Sequence, residues 1–385
     1  MLGIASVAVG GILGSALVLH GSEKISLSSN SSREQHSSHA AARWSFSTLD
    51  NRNDATFNQL LGINNRGEIA GYFGSGAQGH PNKGYLLALS SRASFYVNEN
   101  VPQSTQTQVT GLNDSGVTVG FSSNHNAANM MNPNFGFYTW AGRFHLVNFP
   151  THNNSSPAVN QLLGVNNSDV AVGFYTDAKG NNHGYTYSIL RHRFRSITIR
   201  GATSLTASAI NNAGDIAGFF TNSAGATKAF LLYPNGRVIT LAFPRAASTQ
   251  AFGVNDAREV VGTYTTGSGS SAKTFGFTWS SRTGFKSVSD PLGLGTTTIN
   301  GVNDAGDLVG FYTDAAGNTH GLLWAAVRHF APFAPLLAHS ATVTVHPAAT
   351  PTTSANATPT TSAKPATATT AAPSTAPASA QPQHW

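Results

Sequence analysis

The sequence predicts an all-β fold: six blades of four antiparallel strands, closed into a ring by an N-terminal strand. Three observations carry this. One phrase recurs six times, the stretches between its copies read as further strands, and the strand missing from the last unit stands ahead of the first. Composition agrees. Only 10% of the 385 residues are charged and 39 are glycine, against ordinary shares of roughly 25% and about 7%. Low charge with abundant Gly, Asn, Ser and Thr is the profile of an extracellular all-β protein.

The phrase reads GINNRGEIAGYF at 62–73, GLNDSGVTVGFS at 111–122 and GVNNSDVAVGFY at 164–175. It returns as AINNAGDIAGFF at 209–220, GVNDAREVVGTY at 253–264 and GVNDAGDLVGFY at 301–312. Its first Asn is Asn64, Asn113, Asn166, Asn211, Asn255 and Asn303, with spacings of 49, 53, 45, 44 and 48. Seven residues after each lies Gly71, Gly120, Gly173, Gly218, Gly262 or Gly310, an offset that never varies. The phrase is a β-hairpin. Apolar residues end a first strand, and Asn-Asn or Asn-Asp opens a turn, because these side chains bond nearby backbone and tolerate left-handed conformations. Gly67, Gly116, Gly214 and Gly306 occupy the left-handed bulge position of the loop. Asp169 and Arg258 stand there in copies three and five, and Arg258 predicts a strained or different turn. The second strand follows, and its central Gly predicts close approach of a neighbouring strand.

A third strand reads KGYLLAL (83–89), FGFYTW (135–140), HGYTYSI (183–189), KAFLLY (228–233), FGFTW (275–279) and HGLLW (320–324), aromatic and aliphatic residues alternating with small ones. A fourth reads SFYVN (94–98), RFHLVNF (143–149), RFRSITI (193–199), GRVITLAF (236–243) and GFKSVSD (284–290). The sixth copy lacks one, since Pro332 and Pro335 disfavour a ladder, although 325–331 offers a weak alternative. WSFSTLD at 44–50 has the fourth-strand pattern and supplies the missing piece from the other end of the chain. A unit completed this way is a closed six-bladed β-propeller; an open solenoid would need capping repeats instead.

The repeat resembles the HAF family of bacterial extracellular repeats, which pair a G-[IVL]-N-[DN]-x-G-x-[VI]-[VA]-G phrase with a later H-A-F-L-W phrase. The first half is matched in all six copies over about residues 44–330. The second is degenerate, closest at His183-Gly184-Tyr185, Lys228-Ala229-Phe230-Leu231-Leu232-Tyr233 and His320-Gly321-Leu322-Leu323-Trp324. The resemblance implies a secreted repeat protein and a propeller, and it carries no catalytic residues to transfer.

The flanks differ in kind. Residues 1–20 are uncharged over 2–19 and largely apolar, and read as a signal peptide or membrane anchor, with membrane contact only through 2–19 if uncleaved. Residues 21–43 are a polar linker with too few apolar residues to pack. Residues 331–385, dominated in the tail by Ala, Thr, Pro and Ser, read as disordered. Together the flanks predict an extracellular or cell-surface location.

The chemistry is sparse. With no cysteine there is no disulfide scaffold, Cys-ligated zinc or thiol nucleophile. Asp114, Asp256 and Asp304 belong to the repeated turn, and Asp177 and Asp314 open DAKG and DAAG loops. No facing carboxylate pair can be nominated, so no catalytic residue is assigned. Fourteen histidines, among them His36, His39, His80, His125, His152, His183 and His320, show no H-E-x-x-H spacing, so no metal and no cofactor are expected. A net charge of +6 over this length is no nucleic-acid footprint. Arg191, Arg193, Arg195 and Arg200 form the most basic stretch. The first three share one face of an outer strand by alternation and read as edge protection, with an anionic wall polymer as the sharper alternative.

One polar set recurs. Five positions before each repeat Asn stand Gln59, Gln108, Gln161, Thr206, Gln250 and Thr298, on the strand expected to line the central channel. They predict a ring at the channel mouth whose amides and hydroxyls suit sugar hydroxyls. The expectation is a monomeric, non-enzymatic module that binds a glycan, a cell-wall polymer or a surface protein. The alternatives are a polysaccharide lyase or glycosidase with its site at the channel mouth, or a purely structural surface module.

Overall fold

The computed structural model describes residues 44–89, 94–124, 134–150 and 159–326, with the backbone of a strand at 340–345. The segments at 1–20 and 21–43 lie outside the described residues, as do His125, His152 and all of the tail beyond 345.

Strand β1 (Trp44–Thr48) comes first in the chain, and six blades follow. Blade 1 is β2 (Asn58–Ile63), β3 (Glu68–Phe73), β4 (Lys83–Leu89) and β5 (Ser94–Asn98). Blade 2 is β6 (Gln106–Leu112), β7 (Thr118–Ser123), β8 (Phe135–Trp140) and β9 (Arg143–Val147). Blade 3 is β10 (Val159–Val165), β11 (Val170–Thr176), β12 (Asn182–Ser188) and β13 (Arg193–Ser196). Blade 4 is β14 (Ala202–Ile210), β15 (Ile216–Asn222), β16 (Thr227–Leu232) and β17 (Val238–Leu241). Blade 5 is β18 (Ser248–Val254), β19 (Val260–Thr266), β20 (Lys273–Ser280) and β21 (Gly284–Val288). Blade 6 has three strands of its own, β22 (Thr298–Val302), β23 (Leu308–Thr313) and β24 (Thr319–Ala326), and takes β1 as its outer strand. The register runs from Trp44 opposite Ala326 to Thr48 opposite Leu322, with Trp44 stacked on Trp324 at 4.4 Å. The fold is the six-bladed β-propeller, closed by an N-terminal strand. β1 holds the closing position; Ala325 and Ala326, the first residues of the weak alternative at 325–331, end β24, and 327–331 lie outside the described residues.

One departure concerns the tail. Within the stretch expected to be disordered, β25 (Ser340–Val345) adds to blade 2, parallel to β9.

The core lies between blades. Leu60 of blade 1 packs with Ile69, Tyr85 and Leu87 of its own blade and with Val309 and Leu323 of blade 6. Val109 of blade 2 packs with Phe137 and Phe144 and with Ala70 and Leu86 of blade 1. Burying a side chain such as Leu60 stabilises by about 1.5–3 kcal/mol, and each blade contributes to two such layers.

The innermost strands carry the feature that organises the axis. In all six a bulge interrupts the pairing with the second strand, as between Leu60 and Gly62. This explains the invariant glycine. A Cβ on Gly120 would fall on the Gln108 carbonyl oxygen and within 2.8 Å of the Phe137 ring, and the other five copies meet the same carbonyl. The turns are equally uniform. Residues Gly67, Gly116, Asp169, Gly214, Arg258 and Gly306 have φ of 78°, 87°, 55°, 82°, 60° and 82°. The fifth turn is therefore not different in form. Arg258 adopts the left-handed conformation, and its N–H donates to Asn255 O at 3.0 Å as the glycines do.

Candidate functional site

At the end of the axis where the innermost strands finish, the six turns meet. The first Asn of each turn is buried, and its Oδ1 accepts from its own loop: Asn166 takes Ser168 N at 3.1 Å and Val170 N at 3.1 Å. Its Nδ2 then leaves the blade. Asn64 donates to Asn113 O at 3.1 Å, Asn113 to Asn166 O at 3.1 Å and Asn166 to Asn211 O at 3.0 Å. Asn211 donates to Asn255 O at 3.0 Å, Asn255 to Asn303 O at 3.1 Å, and Asn303 returns to Asn64 O at 3.3 Å. Each carbonyl also accepts the N–H of the left-handed residue of its own turn. The side chain thus shapes one turn and ties it to the next, which satisfies buried polar groups that would otherwise cost about 1–3 kcal/mol each.

A second ring lies outside the first. It is formed by the next residue of each turn: Asn65, Asp114, Asn167, Asn212, Asp256 and Asp304. Each backbone N–H donates to the Oδ1 of its neighbour: Asn65 to Asp114 at 2.8 Å, Asp114 to Asn167 at 2.9 Å and Asn167 to Asn212 at 2.8 Å. Asn212 donates to Asp256 at 2.7 Å, Asp256 to Asp304 at 2.8 Å and Asp304 to Asn65 at 2.8 Å. Side-chain amides add cross-links, Asn65 to Asp114 and Asp304, Asn167 to Asp114, and Asn212 to Asp256. Among the described residues no amide lies between Asp256 and Asp304. There two carboxylates adjoin without a side-chain donor to share.

The two rings line a shallow depression open to solvent. Its outer rim holds three carboxylates and three amides, all fixed by backbone bonds. Below it lies a smaller chamber lined by Leu61, Thr110, Leu163, Ser208, Phe252 and Asn300. These are the extra residues of the six bulges. Ser208 Oγ and Asn300 Oδ1 are buried there without a protein partner among the described residues.

The structure corrects the expected ring of Gln59, Gln108, Gln161, Thr206, Gln250 and Thr298. None of them lines the depression or the chamber. All but the half-buried Gln250 are buried, and three have blade partners. Gln59 accepts from Tyr72 OH at 2.9 Å, Gln108 donates to Asn82 Oδ1 at 2.8 Å and Thr206 accepts from Asn182 Nδ2 at 3.0 Å. The reason is the bulge. Regular strand positions face the two sides of a sheet, so in an innermost strand they face the adjoining blades. Along the middle of the strand it is the extra residue of the bulge that turns to the axis, and at its end Ile63 and its counterparts reach the depression. The sequence did hold a signal for the rim: the second turn position is Asn or Asp in all six copies, a restriction that turn formation alone does not impose.

At the other end of the blades lie the Asp–His loops. Asp177 and His183 of blade 3 pair at 2.9 Å, and His320 of blade 6 lies between Asp50 at 2.7 Å and Asp314 at 3.2 Å. Burial acts slightly against it, but hydrogen bonds from His183, from the Asn181 and Lys179 N–H groups and from the Asn181 side chain hold the Asp177 carboxyl down to about 2. The four arginines of the basic stretch are exposed; Arg193 and Arg195 share a face of β13, while Arg191 lies in the turn before it.

No family model matches the chain, so the likeness to HAF repeats stays a resemblance. No curated protein matches it either. Among solved structures it is similar to the six-bladed fungal lectin of Aleuria aurantia, at 10% identity and a TM-score of 0.44 over 72% of this chain and 99% of that one. It is also similar to the N11 neuraminidase-like protein of A/flat-faced bat/Peru/033/2010, at 11% identity and a TM-score of 0.41 over 74% and 93%. A third is TolB from Acinetobacter baumannii, at 11% identity and a TM-score of 0.36; there the chain spans 55% of the other's length. At this identity and superposition no property of these proteins passes to this chain.

Proposed function

We propose that the chain is a non-catalytic binding module, secreted or displayed at the cell surface, that takes a glycan end at the axial mouth. The observation that carries this is the outer ring. Its six side chains are fixed by backbone bonds before any ligand arrives, so little conformational entropy is lost on binding. Its three carboxylates only accept hydrogen bonds. The Asp256–Asp304 junction, where no amide intervenes, favours a ligand that brings its own donors: hydroxyls, or the ammonium of an amino sugar. The six apolar residues behind the ring, such as Ile63 and Val165, give a sugar ring a surface to rest on.

The test is calorimetric titration of the purified chain with short amino-sugar oligomers. Saturable binding that falls at least about tenfold, or about 1.4 kcal/mol, in Asp256→Asn supports the reading. Asp304→Asn keeps the acceptor oxygen on the rim and should behave alike. Binding that ignores both substitutions, or no binding to amino-sugar or neutral oligomers, removes the axial mouth as the site.

A further inference from the structure

Blades 3 and 6 carry the same loop, YTDAKGNNHGY at 175–185 and YTDAAGNTHGL at 312–322, and it folds the same way twice. In both, the Asp accepts two backbone N–H bonds from its own loop, Lys179 and Asn181 on Asp177, and Ala316 and Asn318 on Asp314. In both, that carboxylate meets Nε2 of the following His, at 2.9 Å for His183 and 3.2 Å for His320. In both, the imidazole rests on the preceding Tyr, at 4.9 Å on Tyr175 and 5.3 Å on Tyr312. Ring position and Nε2 partner agree, so Nδ1 points the same way in the two blades.

Blade 6 displays what that Nδ1 receives. Asp50 places Oδ2 at 2.7 Å from His320 Nδ1 and accepts the Gly321 N–H on Oδ1 at 3.1 Å. The His-Gly pair is a two-point carboxylate cradle. Blade 3 has the same pair in His183 and Gly184. There Gly184 O accepts Ile197 N at 2.9 Å, just as Gly321 O accepts Leu49 N at 2.9 Å. The N–H and C=O of one strand residue point to the same side, so Gly184 N–H faces outward like Gly321 N–H. The residue matching Asp50 is Thr198, which carries no carboxylate. No protein carboxylate reaches His183 Nδ1 among the described residues, and the His183 side chain is 44% exposed against 17% for His320. The same blade edge carries Arg191, Arg193, Arg195 and Arg200, all exposed and none in an ion pair among the described residues. Arg193 and Arg195, opposite Ser188 and Thr186, stand ~7 Å apart along β13 on the sheet face turned away from the His183 ring, so a polyanion that meets both must run over the open outer edge of the blade, which an extended chain can do and a single acidic side chain cannot.

We propose that blade 3 holds a second binding site, in which His183 Nδ1 and Gly184 N–H grip a carboxylate of a linear uronate-type glycan and the arginines of the blade edge engage the carboxylates that follow. The site is separate from the axial mouth and does not rest on it.

The experiment titrates the whole chain with oligogalacturonate, with its fully methyl-esterified form as the neutral counterpart, and reads affinity by calorimetry. Saturable binding of the acid but not the ester is expected, with at least about a tenfold loss in His183→Ala. Arg193→Gln with Arg195→Gln should weaken binding and flatten its salt dependence. An unchanged melting temperature shows that each variant is folded, and Asp256→Asn should leave this binding unaltered. Equal binding of acid and ester, or wild-type affinity in His183→Ala, overturns the proposal. Equal or tighter binding of duplex DNA or of a glutamate-rich peptide also overturns it, by showing the wrong class of partner.

Discussion

His320 and Asp50 lie 270 residues apart in the chain and 2.7 Å apart in space. The contact joins the last blade to the residue two positions past the closing strand. Beside it Thr48 Oγ1 and Tyr312 OH share a hydrogen bond at 2.8 Å. In blade 1 the matching place is held by Asn100, whose Oδ1 accepts Gly84 N at 3.1 Å. There the outer strand is covalently continuous with its blade. Where it is not, the neutral contact is replaced by a charged one.

This contact should make ring closure pH-dependent. With carboxylates on both ring nitrogens, His320 needs both N–H donors and therefore the imidazolium form. Burial opposes that charge, but the hydrogen bonds and charges of Asp50 and Asp314 outweigh it and hold His320 above its usual 6.5. The buried Asp290 is a third acidic neighbour. A folded-state value above the unfolded one means the stabilisation is complete below about pH 6.5. It is lost as pH rises through the raised value. The melting temperature should therefore fall as pH rises above about 6.5, and it should fall less in His320→Gln, which starts lower. A wild-type midpoint that stays level from about pH 6 to about pH 9 would contradict this.

The closing clasp can also be cut from the other side. Asp50→Asn keeps the acceptor for Gly321 N–H but removes the charge facing the imidazolium. A hydrogen bond to a charged group contributes about 1.5–3 kcal/mol, and both side chains are less than a quarter exposed. A loss of about 1–3 kcal/mol in denaturant unfolding is expected, together with faster hydrogen exchange confined to β1 and β24. Exchange that speeds uniformly around the ring would mean that closure is not what Asp50 supports.

Much of this architecture was legible in the residues. The strands at 83–89, 135–140 and 94–98 fall where the alternation put them, because a sheet with both faces packed on neighbours leaves little choice of register. Asn64 and its counterparts were legible as turn formers, since that role depends only on residues two to four positions on. Their second role was not, because Asn303 Nδ2 reaching Asn64 O spans 239 residues and exists only once the ring is closed. Gln59 was misread for a related reason. A bulge shows itself only in the pairing of two strands, and it decides which residue faces the axis.

The invariant glycines separate two kinds of constraint. Gly218→Ala would drive a methyl group onto the Thr206 carbonyl oxygen and to within 2.9 Å of the Phe230 ring. Backbone and a buried ring cannot yield cheaply, so a loss of about 2–3 kcal/mol or more is expected from overpacking. Gly116→Ala meets nothing within 4 Å but sits at a φ of 87°. Only the left-handed conformation is penalised there, at about 1–2 kcal/mol. Parallel urea titrations check the order. If the turn variant were the more damaging, the account of the mid-strand glycine would fail.

Arg258 inverts the usual logic of such a position. Its left-handed φ of 60° argues for glycine, and a Gly substitution would relieve about 1–2 kcal/mol of backbone strain. The side chain offsets that strain. Its Nε donates to Asp215 Oδ2 at 2.8 Å, and the Asp215 side chain is wholly inaccessible to solvent. Its guanidinium also lies over the Tyr233 ring at 5.3 Å. Among the described residues Asp215 Oδ2 otherwise receives only the Asn211 amide, and its Oδ1 has no partner. Stripping the guanidinium leaves a buried carboxylate without its counter-charge, a change that typically costs about 3–5 kcal/mol for a buried pair, less here because half of the arginine is exposed. Arg258→Gly should therefore destabilise on balance, despite suiting the turn. Arg258→Gly with Asp215→Asn should recover most of the loss, since the orphaned charge is then gone. The double-mutant cycle in urea measures this directly. A single Arg258→Gly variant as stable as the wild type would show that the turn, and not the buried carboxylate, governs this position.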